Sequence, residues 1–467
     1  MGGITIIDLM TDPQLFGKQF RGPSFEAWRV LLAGFYGLPL TDEQAVVWHE
    51  LTGRDKPAGP HDELWQAIGR RGGKTQIAAL LAVYEACFRD HAPKLSPGEV
   101  ATVMCIAADR KQSRSLMRYI VGLMESNPML KRLIVRQDRE SLELSNRCVI
   151  EIAAASFRSV RGYTLRAVLC DEIAFWRSDE SANPDSEIIA ALRPALATLN
   201  GPLIALSSPY AKRGELWHNY RRHFATDSPV LVAQAPSRTM NPGLPQRVVD
   251  AAKDRDPVAA ASEYGAEFRS DIQSFIDPVL LDSLTRSEPA VLPPAPGIKY
   301  TAFADPSGGG PDGFSLAICH RERDTVIVDL VTERTRTNPA SVVSEYCKIL
   351  QQYRIQVVGG DKYAGQWVAN EFSRHGVRYN YSAKNRSELY IDTLAMLNAG
   401  EVELPPVDKL ARQFANLERR TSRSGRDSID HPPGLHDDLA NAVAGAVVSQ
   451  QKDRQCITPI FGQVRTL

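Results

Sequence analysis

The sequence lacks three features that would narrow its class at once: paired cysteines, a net charge and a long apolar run. Its seven cysteines include no CxxC pair, and several lie within apolar segments, which is typical of reduced core residues in a cytosolic protein. No uninterrupted apolar stretch approaches membrane-spanning length, and the N-terminus lacks a basic segment followed by an apolar one. We therefore expect a soluble protein that is not secreted and has no membrane partner.

The charge of the chain is balanced, with 55 Lys and Arg residues against 55 Asp and Glu residues. No global positive field therefore indicates a nucleic-acid partner, although an acidic metal site can cancel basic grooves elsewhere, so DNA binding is not excluded. The chain also lacks internal repeats and low-complexity tracts. Its 467 residues are too many for a single core, so two or three domains are expected.

A nucleotide-phosphate loop is predicted immediately after Ile68. Small residues there let backbone N–H groups converge on phosphate oxygens, while Lys74 supplies a charge for the β- and γ-phosphates and the Thr75 hydroxyl is placed to bind Mg²⁺. Ile68 occupies the position of the first glycine in the general G-x-x-x-x-G-K-[ST] pattern, so the loop needs support from elsewhere in the chain. The predicted cofactor-binding residues of the loop are Gly69, Arg70, Arg71, Gly72, Gly73, Lys74 and Thr75.

That support comes from an acidic pair, Asp171 and Glu172, which ends the mostly apolar run at residues 165–170. Such a run is typical of a buried parallel strand, whose carboxyl end lies beside the phosphate site of an α/β sheet. We assign Asp171 to the Mg²⁺ shell and Glu172 to the general base that polarises the attacking water. An acidic pair alone would also suit the first turn of a helix, but Lys74 and Thr75 upstream favour the nucleotide site.

The order of strand and helix patterns predicts two α/β regions separated by a helical segment. Strands and helices alternate after the phosphate loop, the strand signal then fades while proline and charge increase, and a fresh α/β pattern begins near Ile298. The predicted divisions are an ATPase domain at 1–211, with a helical part at 1–55 on the adenine side, a helical linker or lid at 212–293, and a second α/β domain at 294–467.

Two groups of residues outside the loop are further candidates for the nucleotide site. A predicted strand ends in Ser207 and Ser208, and hydroxyl groups there can sense the γ-phosphate because they lie next to the nucleotide by topology. Aromatic residues of the first helical segment have spacings that suit a packed face, and stacking of one of them on adenine is the alternative. These aromatic residues are Trp28, Phe35, Tyr36 and Trp48.

Carboxylates in the second half predict a second chemistry. Asp305 ends one predicted strand, Asp361 closes another, and Asp437 or Asp438 opens the last strong helix. Such a trio could hold two Mg²⁺ or Mn²⁺ ions about 3.5 to 4 Å apart, which would activate water and stabilise the leaving oxygen of a phosphodiester. Each aspartate alone would suit a strand end or a helix cap, but the order strand, strand, final helix favours a metal-dependent nuclease. His436 is either a neighbour of this site or a loop residue.

Together these motifs resemble the large subunit of the tailed-bacteriophage terminase over nearly the whole chain. The resemblance rests on the phosphate loop, whose arginine at position 70 is usual in that family, on Arg161-Gly162 upstream of the acidic pair, on the segment 207–210 and on the aspartate series. It implies an α/β protein with an N-terminal RecA-like ATPase of the additional-strand class and a C-terminal ribonuclease-H-like nuclease, and it matches Ser207 and Ser208 to the coupling motif. The catalytic residues that it implies are Arg70, Glu172, Asp305, Asp361 and Asp438. The metal ligands are Thr75, Asp171, Asp305, Asp361, and either Asp437 or Asp438.

The resemblance also implies a motor in which ATP hydrolysis moves double-stranded DNA into a procapsid and the C-terminal domain cuts the concatemer. The expected cofactors are ATP and Mg²⁺, with Mg²⁺ or Mn²⁺ at the nuclease site. The expected partners are double-stranded DNA, the portal protein, the small terminase subunit and further copies of the chain in a ring docked on the procapsid in the host cytoplasm. DNA phosphates are expected against a loop at 419–426. The arginines expected to reach a neighbouring subunit's ATP are Arg136, Arg139, Arg158 and Arg161.

Two other classes stay open at this point. A superfamily-2 helicase would share the phosphate loop, the acidic pair and the paired serines, but its second half would be another RecA-like domain with an arginine aimed at the same ATP. A DNA-binding ATPase whose nuclease-like half has lost activity would share every motif and would differ only in cleavage. The fold of the second half tests the helicase alternative, and a DNA-cleavage assay tests the alternative of an inactive nuclease-like half.

Overall fold

The structure is a computed structural model that describes residues 3–57, 59–155, 162–176, 184–307, 312–362, 365–421, 427–432 and 435–451. The chain divides into two compact units, Met1–Gln273 and Ser274–Leu467. Among the described residues, no helix combines the length and the apolar character that crossing a membrane requires.

The first unit is a mixed α/β structure. Its α-helices are α1 (Ile6–Thr11), α2 (Gly17–Phe20), α3 (Glu26–Phe35), α4 (Asp42–Thr52), α5 (Lys74–Cys87), α6 (Arg110–Ser126), α7 (Pro128–Lys131), α8 (Pro184–Leu196), α9 (Gly214–His223), α10 (Ser237–Met240), α11 (Gln246–Arg255) and α12 (Pro257–Glu263). Short 3-10 helices lie at Pro23–Phe25, Ala92–Lys94 and Ile173–Phe175. Its strands are β1 (Glu63–Ile68), β2 (Ala101–Ala107), β3 (Ile134–Gln137), β4 (Ser141–Leu144), β5 (Cys148–Ala154), β6 (Thr164–Asp171), β7 (Leu203–Ser207) and β8 (Val230–Ala235). The next strand, β9 (Ile272–Ser274), contains the point at which the chain divides.

The eight strands of the first unit form one sheet in the order β3-β4-β5-β2-β6-β7-β1-β8. Every neighbouring pair from β5 to β8 is parallel, whereas β3 pairs with β4 and β4 with β5 in antiparallel fashion. One strand, β7, lies between β1, which leads into the phosphate loop, and β6, which ends at the acidic pair. An inserted strand at this place defines the additional-strand RecA-like class, so the predicted fold of the first unit is confirmed.

Burial explains the apolar runs of this sheet. All seven residues of β2 are buried, which is expected for a parallel strand covered by helices on both faces. The helix α5 is buried along most of its length and begins directly at the end of the phosphate loop, so its N-terminus points at the predicted phosphate site. The sheet thereby brings the loop, the acidic pair and the end of β7 to one edge.

The second unit is built around another sheet. Its helices are α13 (Pro278–Leu284), α14 (Pro339–Gln352), α15 (Gly365–Arg374), α16 (Arg386–Asn398), α17 (Asp408–Asn416) and α18 (Asp438–Ser449). Its strands are β10 (Tyr300–Asp305), β11 (Phe314–Glu322), β12 (Thr325–Arg334), β13 (Val357–Gly360), β14 (Arg378–Tyr381), β15 (Val402–Glu403), β16 (Glu418–Thr421) and β17 (Asp427–Asp430). The last two form an antiparallel hairpin.

The sheet of the second unit has the order β14-β13-β10-β11-β12-β15. An antiparallel meander of β10, β11 and β12 is extended beyond β10 by the parallel strands β13 and β14. This is the ribonuclease-H-like arrangement, as predicted. A second RecA-like domain would instead need a parallel sheet with its own inserted strand, so the helicase alternative does not fit.

The helix α18 packs across this sheet, and small residues allow the close approach. A Cβ atom added at Gly445 would lie 2.3 Å from the Phe303 ring on β10, so a larger side chain has no room. Ala442, Val443, Ala446 and Val447 on the same helix are also fully buried. The close packing places Asp438, the first residue of α18, near the carboxyl end of β10.

The segment at 212–293, predicted as a helical linker or lid, differs in the structure. It does contain helices, but it also contributes β8, which pairs with β1 in parallel, and the first unit extends to Gln273. The apolar run of β8 is only six residues long and lies between prolines and charged residues, so the sequence pattern did not indicate a strand there. The six described cysteines are free and mostly buried, as expected of core residues, whereas Cys456 lies outside the described residues.

Candidate nucleotide and metal sites

Lys74 is the centre of the first candidate site. Its side chain is only 5% exposed. The ammonium group donates hydrogen bonds to the carbonyl oxygen of Ile68 at 3.0 Å and to Ser208 Oγ at 2.9 Å, and it lies 3.5 Å from Glu172 Oε1. The phosphate loop, the acidic strand and the end of β7 therefore converge on one buried cation.

Glu172 is held in a fixed orientation at the end of β6. Its Oε2 accepts hydrogen bonds from Ser207 Oγ at 3.0 Å and from the Ser208 backbone N–H at 3.1 Å. The backbone of Glu172 is left-handed, with φ of 50°, which is unfavourable for a side chain of this size. Two hydrogen bonds and a strained backbone thus aim this carboxylate, as suits a general base. They also connect it to the two serines that the sequence singled out.

Asp171 is buried beside Glu172 and has an unused acceptor. Its Oδ1 has no hydrogen-bond partner among the described residues. Burial is the main cause that raises the pKa of Asp171 to about 7, Glu172 raises it further, and Lys74 opposes the rise. An ionised carboxylate with a free oxygen in such a place is costly without a cation, so Asp171 fits the role of a Mg²⁺ ligand.

The other predicted loop residues have distinct surroundings. Thr75 lies in the first turn of α5 and is partly exposed. Arg71 and Gly73 are both left-handed, with φ of 65° and 93°. The Arg70 guanidinium is 60% exposed and pairs with Glu263 at 3.1 Å, so its described contact leads away from Lys74 and Glu172.

The aromatic residues of α3 and α4 belong to the core. Trp28, Phe35 and Trp48 are at most 1% exposed, and the Trp28 indole N–H donates to the carbonyl oxygen of Gly72 at 2.8 Å. Tyr36 donates to the buried carboxylate of Glu85 at 2.7 Å. The interpretation as core aromatics therefore fits each of them.

Sequence reasoning missed three residues that contact the phosphate loop from the segment 212–293. Ser237 Oγ donates to the carbonyl oxygen of Arg70 at 2.6 Å, and Asn241 Nδ2 donates to that of Arg71 at 2.9 Å. Glu263 pairs with the Arg70 side chain, and its carbonyl oxygen accepts from the Arg70 N–H. No motif marks these residues.

The candidate arginines for a neighbouring subunit's ATP are only partly described. Arg136 pairs with Asp138 at 3.0 Å and is 69% exposed, and Arg139 is also exposed. Arg158 and Arg161 lie outside the described residues. Both Arg136 and Arg139 are exposed and could reach a neighbouring subunit, so exposure gives no reason to choose one of them as the arginine that contacts its ATP.

The second candidate site lies at the carboxyl end of β10. Parallel pairing sets Ala304 opposite Gly360, so Asp305 and Asp361 follow directly on adjacent strands. Burial above all raises the pKa of Asp305 well above its ordinary value, a hydrogen bond from Asn441 opposes the rise, and the charges of Asp438, Asp437 and Asp361 add to it. The predicted aspartates are therefore close enough to repel one another.

The two aspartates of the doublet are not equivalent. Asp437 is buried, with Oδ2 accepting from the Tyr390 hydroxyl at 2.8 Å and Oδ1 from Arg386 Nη1 at 3.1 Å. Asp438 accepts one backbone hydrogen bond, from the Gly313 N–H at 2.9 Å, and burial raises its pKa. Both oxygens of Asp437 thus already accept hydrogen bonds, whereas only Oδ2 of Asp438 accepts one from the residues that the structure describes.

Glu333 on β12 is a further acidic residue here that the sequence did not reveal. Its Oε1 pairs with Lys409, while its buried Oε2 has no hydrogen-bond partner among the described residues. A Cβ atom added at Gly313 would lie 3.1 Å from both this oxygen and Asp438 Oδ2. His436 instead pairs with Asp312 at 3.1 Å. In the described part of the chain, no three Asp, Glu, His or Cys side chains stand together closely enough to hold a metal ion.

The predicted DNA-contact loop at 419–426 is in part a strand. Arg419 and Arg420 lie on β16, where Arg419 pairs with Asp427 and Arg420 pairs with Glu418 at 3.0 Å. Residues 422–426 lie outside the described residues. The loop prediction is wrong for these two arginines because their backbone pairs with Ile429 and Ser428 in the β16–β17 hairpin. The predicted contact with DNA stays a prediction.

The comparisons with known proteins gave matches only among solved structures: no family model and no curated protein matches the chain. The large terminase of bacteriophage HK97 is 16% identical, with 91% of this chain and 99% of that chain covered and a TM-score of 0.39. The large terminase of a thermophilic bacteriophage, in complex with ADP, is 12% identical, with 91% and 100% covered and a TM-score of 0.38. The large terminase nuclease of the thermophilic phage G20c, with bound magnesium, is 18% identical, with 38% and 97% covered and a TM-score of 0.33. These three are phage large terminases or a part of one. That is the family which the sequence motifs resemble.

Proposed function

We propose that this chain is the large terminase subunit of a tailed phage. In this role it hydrolyses ATP to move double-stranded viral DNA into a procapsid, and it cleaves the concatemer with a metal-dependent endonuclease. We assign the ATPase to the first unit and the nuclease to the second. The observation that carries the proposal is the buried contact of Lys74 with Glu172 and Ser208, in a sheet that has one strand between β1 and β6.

The ATPase role follows from what each side chain at that edge can do. Lys74 is a buried cation that would bind the β- and γ-phosphates, and Glu172 is aimed by Ser207 and Ser208 so that it can accept a proton from the attacking water. Thr75 and Asp171 would hold Mg²⁺, which when bound neutralises charge on the phosphates. Ser208, which follows β7, contacts both Lys74 and Glu172. Loss of the γ-phosphate would therefore alter the contacts at the end of β7.

The nuclease role rests on the carboxylates at the end of β10. Among the described residues, no three such side chains stand close enough to hold an ion in this arrangement. Asp305, Asp361 and Asp438 would therefore have to turn toward a common Mg²⁺ or Mn²⁺, which when bound would activate water and stabilise the leaving oxygen of the phosphodiester. We prefer Asp438 over Asp437 because Tyr390 and Arg386 already occupy both oxygens of Asp437. The raised pKa values of Asp305 and Asp438 express the repulsion and burial that a divalent cation would relieve.

The proposed partners follow from the role. Double-stranded DNA would be held mainly through phosphates, which makes binding tolerant of sequence and sensitive to salt. The chain would assemble as a ring on the portal of the procapsid, together with the small subunit, in the host cytoplasm. In such a ring, an arginine from one subunit would reach the ATP of the next, and Arg136 and Arg139 are exposed candidates.

Substitution of Glu172 by Gln tests the ATPase role. Glu172→Gln keeps an oxygen to accept from Ser207 and Ser208 but cannot take a proton, so we expect ATP binding to persist while turnover falls by at least about 10²-fold. Phosphate release and the binding of a fluorescent ATP analogue would be measured side by side. Glu125→Gln, an exposed change on α6, is the control and should leave both unchanged. Wild-type turnover in Glu172→Gln would mean that Glu172 is not the base.

A further inference from the structure

The outer side of the phosphate loop is held by side chains from two distant parts of the chain, α3 and the region of α10. The carbonyl oxygens of three consecutive residues, 70 to 72, each accept a side-chain hydrogen bond. The donors are Ser237 Oγ to Arg70 at 2.6 Å, Asn241 Nδ2 to Arg71 at 2.9 Å, and Trp28 Nε1 to Gly72 at 2.8 Å. We call Trp28, Ser237 and Asn241 the carbonyl clasp.

Two of the three clasp residues, Ser237 and Trp28, are buried in the first unit. Ser237 is fully buried, and its backbone N–H donates to the carbonyl oxygen of Tyr264 at 2.8 Å. The loop fits tightly against it, because a Cβ atom added at Gly69 would lie 2.4 Å from Ser237 Oγ. Trp28 is fully buried in the core of the first unit. Ser237 and Trp28 are therefore buried supports of the loop, whereas Asn241, the residue after α10, is partly exposed.

The clasp fixes which way the loop's N–H groups point. In a trans peptide, the C=O of one residue and the N–H of the next point in opposite directions. The carbonyl groups of Arg70 and Gly72, bound by Ser237 and Trp28, therefore turn the N–H groups of Arg71 and Gly73 to the other side, whereas the N–H of Gly72 donates to the carbonyl oxygen of Gly69 at 3.1 Å. Both residues are left-handed, and successive N–H groups in such a conformation form a concave site for anions.

Asn241 has a second effect, on the backbone of Arg71. A left-handed conformation is unfavourable in a residue other than glycine and persists only when its surroundings hold it. The hydrogen bond from Asn241 to the carbonyl oxygen of Arg71 is such a restraint. Removal of the donor should let this residue relax toward a right-handed conformation and turn an N–H group away from the anion site.

We propose that Ser237 and Asn241, with Trp28, are positioning residues that hold the loop's N–H groups toward the phosphates of the nucleotide. They do not contact the phosphates and act only through the loop. The inference rests on the proposed ATPase function of this site. It assigns α10 and the residue after it, in a segment expected to be a linker, to the nucleotide-binding machinery.

The test is the substitution Asn241→Asp in the full chain. The change keeps the shape of the side chain but replaces the donor with an oxygen that faces the carbonyl oxygen of Arg71. Because Lys74 and Glu172 stay in place, we expect KM for ATP and Kd for a fluorescent ATP analogue to rise about tenfold while kcat changes less than about twofold. Ser237→Ala removes a different donor of the clasp and should give the same KM-against-kcat split.

Asn146→Asp is the matched control. Asn146 also donates from Nδ2 to a backbone carbonyl oxygen, that of Ala86 at 2.7 Å, and it lies elsewhere in the first unit. It should leave KM and Kd at the wild-type values. A purely structural role of Asn241 would lower the active fraction, and hence kcat, with KM unchanged.

The outcomes separate the inference from the function on which it rests. If the wild-type chain does not bind the ATP analogue, the proposed function fails and the inference with it. If the wild type binds but Asn241→Asp and Ser237→Ala bind as tightly as Asn146→Asp does, only the inference is overturned. Should Asn241→Asp not fold, Ser237→Ala alone decides between these results.

Discussion

Asp171 carries the clearest electrostatic signature of a single residue in the first unit. An unfolded aspartate ionises near 3.8, whereas burial raises the pKa of Asp171 to about 7 in the folded chain. Because the folded pKa is the higher one, the stability that this group contributes is complete below 3.8 and is lost as the pH rises through about 7. Without a cation, Asp171 therefore costs stability at neutral pH.

The substitution Asp171→Asn should remove this dependence. In the absence of divalent metal, we expect the free energy of unfolding of the variant, relative to wild type, to increase from about pH 5 to about pH 8. Urea denaturation at a series of pH values measures the difference. A constant difference over this range would show that the carboxyl of Asp171 is not perturbed by burial.

Of the two aspartates at the start of α18, we expect Asp437 to contribute to stability and Asp438 to DNA cleavage. Asp437→Asn removes one of the two carboxylates that pair with Arg386, with Asp430 remaining, and weakens the buried hydrogen bond from Tyr390. We therefore expect a stability loss of about 1–3 kcal/mol. Asp438→Asn should keep wild-type stability and lose metal-dependent cleavage of plasmid DNA. Urea denaturation and the cleavage assay would be run on both variants. The opposite pattern would make Asp437 the metal ligand.

The sequence was sufficient for some site residues and insufficient for others for a physical reason. Lys74 and Glu172 are found because a loop and a strand end must carry particular residue types at fixed local spacing. Ser237 and Asn241 could not be found, because each contacts a loop residue 167 and 170 positions away through a hydrogen bond that many polar residues can make. Only the fold brings them together.

At the scale of elements, α5 and β6 are joined by a buried ion pair. Arg166 on β6 contacts Glu85 on α5 at 2.6 Å, and their side chains are 5% and 0% exposed. Tyr36 donates to the other oxygen of Glu85. Burial raises the pKa of Glu85, and the charge of Arg166 opposes the rise. The pair therefore links the helix that follows the phosphate loop to the strand that carries the acidic pair.

Breaking the pair on one side should be costly. Arg166→Met leaves the Glu85 charge buried without its cation, so we expect a loss of about 3–5 kcal/mol in the free energy of unfolding. The double variant Arg166→Met, Glu85→Leu removes both charges and should recover most of that loss. Chemical denaturation of the two variants measures this. A loss in the single variant of less than about 1 kcal/mol would contradict the account of the pair.

Element prediction succeeded where a long pattern was present. The strand that ends at Asp305, the strand that Asp361 follows and the helix that begins at Asp438 were predicted and are present as β10, β13 and α18, because continuous apolar runs and helices of small apolar residues are characteristic patterns. The hairpin β3–β4 was not predicted, since its strands are only four residues long and largely exposed on β3. Short strands depend on their partners more than on their own sequence.

At the scale of the whole molecule, two units of different topology each have their own core. The first carries a buried cation beside two carboxylates at one sheet edge, and the second carries repelling carboxylates at the end of β10. Each sheet places these groups by its own strand order. The charge balance of the sequence, which by itself indicated no partner, is consistent with acidic sites that offset basic residues elsewhere.

The central claim is that one polypeptide holds two separable chemistries, ATP hydrolysis and DNA cleavage. If the second unit only binds DNA, its fold would be the same but no DNA would be cleaved. Plasmid cleavage by the full chain with Mn²⁺ tests the claim most directly, with wild type, Asp305→Asn and Lys74→Ala compared. We expect wild type and Lys74→Ala to cut the plasmid and Asp305→Asn to leave it intact while still hydrolysing ATP. Absence of cleavage by wild type, or cleavage that survives in Asp305→Asn, would contradict the account.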